Sequence, residues 1–125
     1  MSPRLAMRAI GAGRLALGLG IVAAPVTFGR PWIGSAADDP GSQVALRALG
    51  ARDALLGFMA LHVSGADDPR VAARWSGAIA LCDVVDGVST IAAGNAALAP
   101  RAPAVVVLAL GSAAAGFAIA AQLRG

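Results

Sequence analysis

The sequence has little charge, few aromatic residues and almost no cysteine. Of its 125 residues, 14% are charged, 4% are aromatic and 58% are hydrophobic. An average soluble domain is about 25% charged and about 45–50% apolar. This composition excludes a disordered chain and argues against an ordinary water-soluble domain. Cys82 is the single cysteine, which excludes an intramolecular disulfide and the paired-cysteine chemistry of membrane thiol oxidoreductases.

Lysine and glutamate are absent. All 10 basic residues are arginine and all 7 acidic residues are aspartate, which gives a net charge of +3. Together with the excess of alanine and glycine, this pattern suggests a GC-rich bacterial coding bias. The arginines are spread along the chain instead of clustered, so we expect no nucleic-acid partner. Their ordinary role would be to orient a protein in a membrane.

Four apolar segments are separated by stretches rich in proline and glycine. The segments cover residues 8–27, 44–64, 73–97 and 103–123. The intervening stretches, which predict loops, cover residues 25–41, 65–69 and 100–103. Each segment has the length of about 20 residues that a helix needs to cross the hydrocarbon core of a bilayer. The sequence therefore predicts one all-α integral membrane domain over residues 1–125, a four-helix transmembrane bundle that contacts lipid in the bacterial inner membrane.

The placement of arginine predicts the orientation of this bundle. The flanks on the side of the N-terminus carry Arg4, Arg8, Arg70, Arg74 and Arg124, and the opposite loops carry Arg30 and Arg101. Because cytoplasmic loops carry an excess of positive charge, we expect both termini in the cytoplasm. An arginine at position 14 interrupts the first apolar stretch, so we expect that stretch to be a retained helix and not a cleaved signal peptide.

Charged residues also lie inside three of the four segments. At about 1.5 Å per residue, Arg14, Arg52, Asp53, Asp83 and Asp86 fall close to the middle of the bilayer, and we refer to them as the charged layer. A charge at that depth costs about 2.5–3.5 kcal/mol on the insertion scale. We therefore expect these side chains to meet in the bundle, for example as Arg14–Asp83 or Arg52–Asp86 pairs.

Two interpretations of the charged layer are open. The ion pairs could simply pin the helices together, or the layer could be a polar pocket that binds a lipophilic small molecule. Asp83, Asp86 and Thr90 share one helix face, since they are three and four residues apart. For a pocket, the candidate catalytic residues are Asp53, Asp83 and Asp86, and the candidate binding residues are Arg14, Arg52 and Thr90. No cofactor is expected, and no metal site, because no histidine accompanies the aspartates at a ligand spacing.

Three functions are compatible with this pattern. The first is a membrane protein whose mid-bilayer Arg/Asp pocket binds a lipophilic small molecule. The second is an intramembrane isomerase, cyclase or epoxide-opening enzyme that uses an aspartate as acid or base. The third is a proton-coupled small-molecule exporter that works as a homo-oligomer. Small multidrug transporters of similar size usually carry an acidic residue in the first helix, where this chain has Arg14.

One internal match is visible in the sequence. The segment Arg8–Gly18 (RAIGAGRLALG) aligns with Arg47–Gly57 (RALGARDALLG). Successive membrane helices run in opposite directions, so the match would be an inverted repeat of the kind that many transporters contain. In a chain so rich in alanine, glycine and leucine, we favour coincidence as the explanation.

The second of these segments also resembles a known family. Its pattern, Arg-x-x-Gly-x-Arg-Asp-x-x-x-Gly, is similar to the second helix of small four-helix bacterial membrane proteins of the DoxX-like and DUF4267/DUF4345 type. The resemblance implies a four-helix membrane fold with an acidic third helix. It singles out Arg47, Gly50, Arg52, Asp53 and Gly57. Because the family has no well-established shared activity, the resemblance implies a fold and a location more than a function.

Overall fold

The computed structural model describes residues 1–94 and 99–125, and these residues form helices and no strands. The five α-helices are α1 (Pro3–Ala23), α2 (Pro25–Ile33), α3 (Pro40–Val63), α4 (Pro69–Ala93) and α5 (Ala102–Arg124). A 3-10 turn, Gly34–Asp38, connects α2 to α3. The prediction of an all-α chain is confirmed, and the four predicted segments correspond to α1, α3, α4 and α5.

Side-chain caps and prolines set the starts of three long helices. Ser2, Asp39 and Asp68 each accept a hydrogen bond from a backbone N–H in the first turn of α1, α3 and α4. A proline follows each cap, where its missing N–H removes no helical hydrogen bond. The three helices therefore begin about a turn earlier than the apolar runs alone predict.

The predicted loop at residues 25–41 was wrong, because much of it is helical. Ala24 has φ −136° and ψ 67°, which ends α1 before the predicted residue 27. Pro25 then starts α2, since proline breaks a helix in its interior but favours its first position. At the far end of the bundle, Gly94 with φ +74° ends α4 after Ala93. The rest of the predicted third segment, residues 95–97, lies outside the described residues.

The long helices form two antiparallel pairs, α1 with α3 and α4 with α5. A β-carbon added at Gly57 of α3 would lie 2.5 Å from the backbone nitrogen of Leu15 and 2.6 Å from the carbonyl oxygen of Gly11. In the other pair, a β-carbon at Gly116 would lie 2.9 Å from the β-carbon of Ala80. Small residues thus let the paired backbones touch. Contact between the two pairs is much less extensive.

This packing explains the internal sequence match. Gly11 of α1 faces Gly57 of α3, and Gly18 of α1 faces Gly50 of α3. The first glycine of each matched segment therefore meets the last glycine of the other, as an antiparallel arrangement of two equal spacings requires. The matched residues form a helix-packing interface. This gives the match a physical reason, whereas from the sequence alone we favoured coincidence.

One end of the bundle is closed by an apolar cluster. Its buried members come from all four long helices: Met7, Ala60, Val63, Ala72, Ile79 and Ile119. Beside it, Arg4 donates hydrogen bonds to the carbonyl oxygens of Ser64 and Ala66, and Arg8 donates to the hydroxyl of Ser64 at 2.9 Å. These bonds fix the connection between α3 and α4. Because the cluster contains the start of α1 and the last turns of α5, both termini lie at this closed end.

Within residues 1–94 and 99–125, three helices are long and apolar enough to cross a membrane: α1 with 21 residues, α4 with 25 and α5 with 23. Much of their outer surface is made of large apolar side chains, which include Leu5, Leu19, Leu81, Val85, Val88, Val107, Leu108 and Phe117. Helix α3, with 24 residues, is outside this group because any stretch of 18 residues in it contains Arg47, Arg52 and Asp53. The chain therefore has the composition of a helical membrane protein.

Candidate functional site

The structure brings together all five residues of the charged layer. Arg14 contacts Asp83 and lies 3.5 Å from Oδ1 of Asp53. Arg52 lies 3.3 Å from the same Oδ1 and binds both oxygens of Asp86, at 2.5 and 3.2 Å. The two predicted pairs, Arg14–Asp83 and Arg52–Asp86, are both present. Both cross from the α1–α3 pair to the α4–α5 pair.

The layer lies halfway along the bundle. Arg14, Asp53, Asp83 and Ser112 are each within one turn of the middle of α1, α3, α4 and α5. Ser112 joins the layer because its hydroxyl lies 2.7 Å from Oδ2 of Asp83, to which it donates a hydrogen bond. All four long helices therefore contribute a polar group at the same depth.

The contact between Arg14 and Asp53 follows from the glycine packing of α1 on α3. The two residues occupy the same position of the matched segments, about halfway between the first and the last glycine of each. Since the glycines pair crosswise, the residues between them lie opposite each other. Sequence reasoning did not predict this contact, although the internal match contained the information.

The three aspartates differ in how fully the protein satisfies them. Asp83, whose side chain is 4% exposed, has one oxygen bound by Arg14 and the other by Ser112. Asp86 has both oxygens bound by Arg52. Asp53 receives both arginines on Oδ1 alone. Within residues 1–94 and 99–125, its Oδ2 has no hydrogen-bond partner.

Two predicted binding residues, Arg52 and Thr90, do not line the cavity described below. Arg52 is 35% exposed. Thr90 is buried, donates a hydrogen bond to the carbonyl oxygen of Asp86 at 2.7 Å and accepts one from the indole of Trp32 at 3.1 Å. This chain of contacts fastens α2 to α4.

Sequence reasoning missed the roles of Trp32 and Ser112. Ser112 is a lone hydroxyl in a helix whose middle is otherwise apolar, which was the available indication.

A cavity of about 720 Å³ lies between the two helix pairs, within the range of about 300–1,000 Å³ typical of small-molecule sites. Its polar lining consists of Arg14, Asp53, Asp83, Asp86 and Ser112. Most of the remaining wall is apolar and includes Ile21, Phe28, Trp32, Leu49 and Val105. The cavity thus combines an apolar wall with a small set of convergent charged groups.

The cavity opens on the side of the bundle, between α1 and α5. We define its mouth by Gly13 and Leu17 of α1 and by Val107, Leu108 and Gly111 of α5, all of which line the cavity and are exposed. Val107 and Leu108 are 72% and 66% exposed. No atom lies within 4 Å of a β-carbon added at either glycine. The mouth is therefore apolar and unobstructed, and it leads to the charged layer from the surface that would face lipid.

Comparisons of the chain with protein-family models, with curated proteins and with solved structures found no match. In the part of the chain that the structure describes, no group of three or more histidine, cysteine, aspartate or glutamate side chains is arranged to hold a metal ion.

Proposed function

We propose that this protein is a four-span integral membrane protein whose lateral cavity binds a lipophilic small molecule from the bilayer. The observation that carries the proposal is the cavity itself, which has an apolar mouth on the side of the bundle and charged groups at mid-depth. A molecule dissolved in lipid reaches such a site without crossing water. Its polar group then meets the charged layer, which gives the site orientation and specificity.

The contacts of α3 support a fourth span. Arg52 and Asp53 contact each other and partners on the neighbouring helices, which offsets the cost of placing them in the bilayer. The outward side of α3 carries Leu55 and Phe58, 61% and 55% exposed. A helix of 24 residues is about 36 Å long at 1.5 Å per residue, enough to cross about 30 Å of hydrocarbon.

The arginines support an orientation with both termini in the cytoplasm. Five lie at the closed end or near it: Arg4, Arg8, Arg70, Arg74 and Arg124. Arg30 and Arg101 lie in or beside the connections at the other end. By the positive-inside rule, the closed end faces the cytoplasm of a bacterial inner membrane. The resemblance to DoxX-like proteins implies the same four-helix layout, and we propose membership of that group.

The contacts of two of the three predicted catalytic aspartates favour a binding site over an acid/base catalyst. Asp83 and Asp86 have both oxygens occupied by side chains of the protein. Their carboxylates hold the helix pairs together, and neither is free to take or give a proton at a substrate. A binding site requires only the shape of the cavity and one available polar group.

The proposal is tested by filling the mouth. In a Trp75→Phe background, Trp32 is the only tryptophan and lines the cavity. We expect bromododecanol, added to the protein in lipid nanodiscs, to quench Trp32 fluorescence to saturation. Gly111→Phe places its β-carbon in open space at the mouth and should weaken this binding about tenfold, which corresponds to about 1.4 kcal/mol.

The matched control is Gly77→Phe. Gly77 also has no atom within 4 Å of an added β-carbon, and it does not line the cavity. We expect wild-type binding in this variant. If Gly111→Phe binds bromododecanol as well as Gly77→Phe does, or if quenching never saturates, the cavity is not the binding site and the proposal is wrong.

A further inference from the structure

The charges and hydrogen bonds around the cavity indicate the chemical class of its ligand, an inference that rests on the proposed function. The charged layer contains three carboxylates, from Asp53, Asp83 and Asp86, and two guanidinium groups, from Arg14 and Arg52. In their ionised forms these groups carry a net charge of −1. Within the described residues, no other charged side chain lines the cavity to balance it.

The hydrogen bonds place this excess on Asp53. Asp83 and Asp86 each have both oxygens bound, whereas the two arginines that reach Asp53 share its Oδ1. Oδ2 of Asp53 has no hydrogen-bond partner in residues 1–94 and 99–125, and Asp53 lines the cavity. The cavity therefore presents one acceptor atom without a partner, in a layer that lacks one positive charge.

We infer that the ligand is a lipophilic cation, an amphiphile whose protonated amine binds Oδ2 of Asp53 while its tail lies along the mouth between α1 and α5. An ammonium group can donate a hydrogen bond to Oδ2 of Asp53. Its positive charge also brings the net charge of the charged layer to zero. Both effects are strong where water is excluded, because a charge-assisted hydrogen bond is stronger than a neutral one and the local dielectric constant is low.

Other headgroups fit this arrangement less well. A carboxylate or phosphate would add negative charge beside three aspartates, and both arginines are already paired with carboxylates. A neutral alcohol can donate a hydrogen bond to Oδ2 but leaves the layer with its net charge. The apolar mouth is suited to the tail of any of these molecules, so the headgroup decides between them.

The test compares three probes with the same tail: bromododecylammonium, bromododecanol and bromododecanoate. Each is titrated into the Trp75→Phe protein in zwitterionic nanodiscs, at a pH where the amine is protonated and the carboxylic acid is ionised. We expect the ammonium probe to quench Trp32 with an affinity about tenfold higher than that of the alcohol, or more, on the scale of one charge-assisted hydrogen bond. The carboxylate should bind most weakly. A Trp32→Phe protein, which retains Trp75 at the closed end, reports non-specific partitioning and should show no saturation.

Asp53→Asn then assigns the preference to one residue. This variant keeps the size of the side chain and removes its charge, so we expect the affinity for the ammonium probe to fall to that for the alcohol. Saturable quenching by the alcohol shows that the cavity is intact. Asp67→Asn is the control, because it removes the same charge from an exposed position outside the cavity. It should keep the wild-type order of the three probes.

The outcomes separate the two proposals. If the alcohol or the carboxylate binds as tightly as the ammonium probe, or more tightly, the ligand is not a cation, although the cavity still binds lipophilic molecules. If no probe gives saturable quenching of Trp32, the proposed function itself fails. The order of the probes in the wild-type protein is decisive by itself, so the test does not depend on the folding of the Asp53 variant.

Discussion

The interface within each helix pair and the interface between the pairs are built in different ways. Within a pair, glycines bring backbone against backbone, as Gly57 does with Gly11 and Leu15. Between the pairs, the contacts are the apolar cluster at the closed end and two ion pairs, Arg14–Asp83 and Arg52–Asp86. The cavity also lies between the pairs.

The interface within each pair is therefore rigid, whereas the interface between the pairs can adapt. Backbones in direct contact leave no room for adjustment, so each pair behaves as one unit. The ion pairs join long side chains that hold the units together at mid-depth and leave space beside them. Backbone-to-backbone packing thus lies within the helix pairs, whereas two ion pairs join one helix pair to the other beside the cavity.

The largest expected effect comes from breaking the contact between the pairs at Arg14. Arg14→Gln leaves Asp83, which is 4% exposed, without its cationic partner and also removes a contact of Asp53. Breaking a buried ion pair in this way costs about 3–5 kcal/mol. We expect a loss of that size in the free energy of unfolding, measured by denaturant titration in detergent micelles.

The control for this change uses the same chemistry at an exposed position. Arg30 pairs with Asp38 at 2.7 Å, and the two side chains are 60% and 49% exposed. Arg30→Gln should therefore cost less than about 1 kcal/mol. Equal losses for the two variants would contradict the view that the Arg14 contacts hold the pairs together.

A smaller effect is expected from disturbing the packing within a pair. Gly57→Ala places a β-carbon 2.5 Å from the backbone nitrogen of Leu15, so α1 and α3 must separate. We expect a cost of about 1–3 kcal/mol, typical of overpacking, in the same unfolding measurement. Gly13→Ala is the matched change on α1, with no atom within 4 Å. It should be neutral or stabilising by up to about 1 kcal/mol, because alanine favours helix. Destabilisation of both variants to the same extent would argue against backbone contact at Gly57.

The smallest effect is expected at Ser112. Ser112→Ala removes one hydrogen bond to Asp83, whose other oxygen keeps Arg14, and should cost about 1 kcal/mol. Ser89→Ala, at an exposed position of α4, should change the free energy of unfolding by less than about 0.5 kcal/mol. If Ser112→Ala leaves the free energy of unfolding unchanged, only the hydrogen bonds of the arginines stabilise the charged layer.

The sequence predicted the features that depend on depth along a helix. The lengths of the apolar segments gave the four long helices, and the spacing of Arg14, Arg52 and the aspartates gave a shared charged layer. Helix α2 was missed because counting proline and glycine does not distinguish a loop from a helix that begins at Pro25. Which helices pair could not be predicted, since periodicity defines a face but not its neighbour. The cavity could not be predicted for the same reason, because it lies between two helix pairs whose pairing the sequence does not reveal.

The two partners of Arg52 have a consequence for biosynthesis. In the proposed four-span arrangement, Asp53 is its neighbour in α3, but Asp86 belongs to α4 and leaves the ribosome later. In a nascent chain that ends after α3, the guanidinium of Arg52 would lie in the bilayer with a single partner, the carboxylate of Asp53, which it shares with Arg14. In the proposed arrangement, stable integration of α3 would therefore wait for α4, and the two helix pairs, although packed as separate units, would depend on each other for insertion.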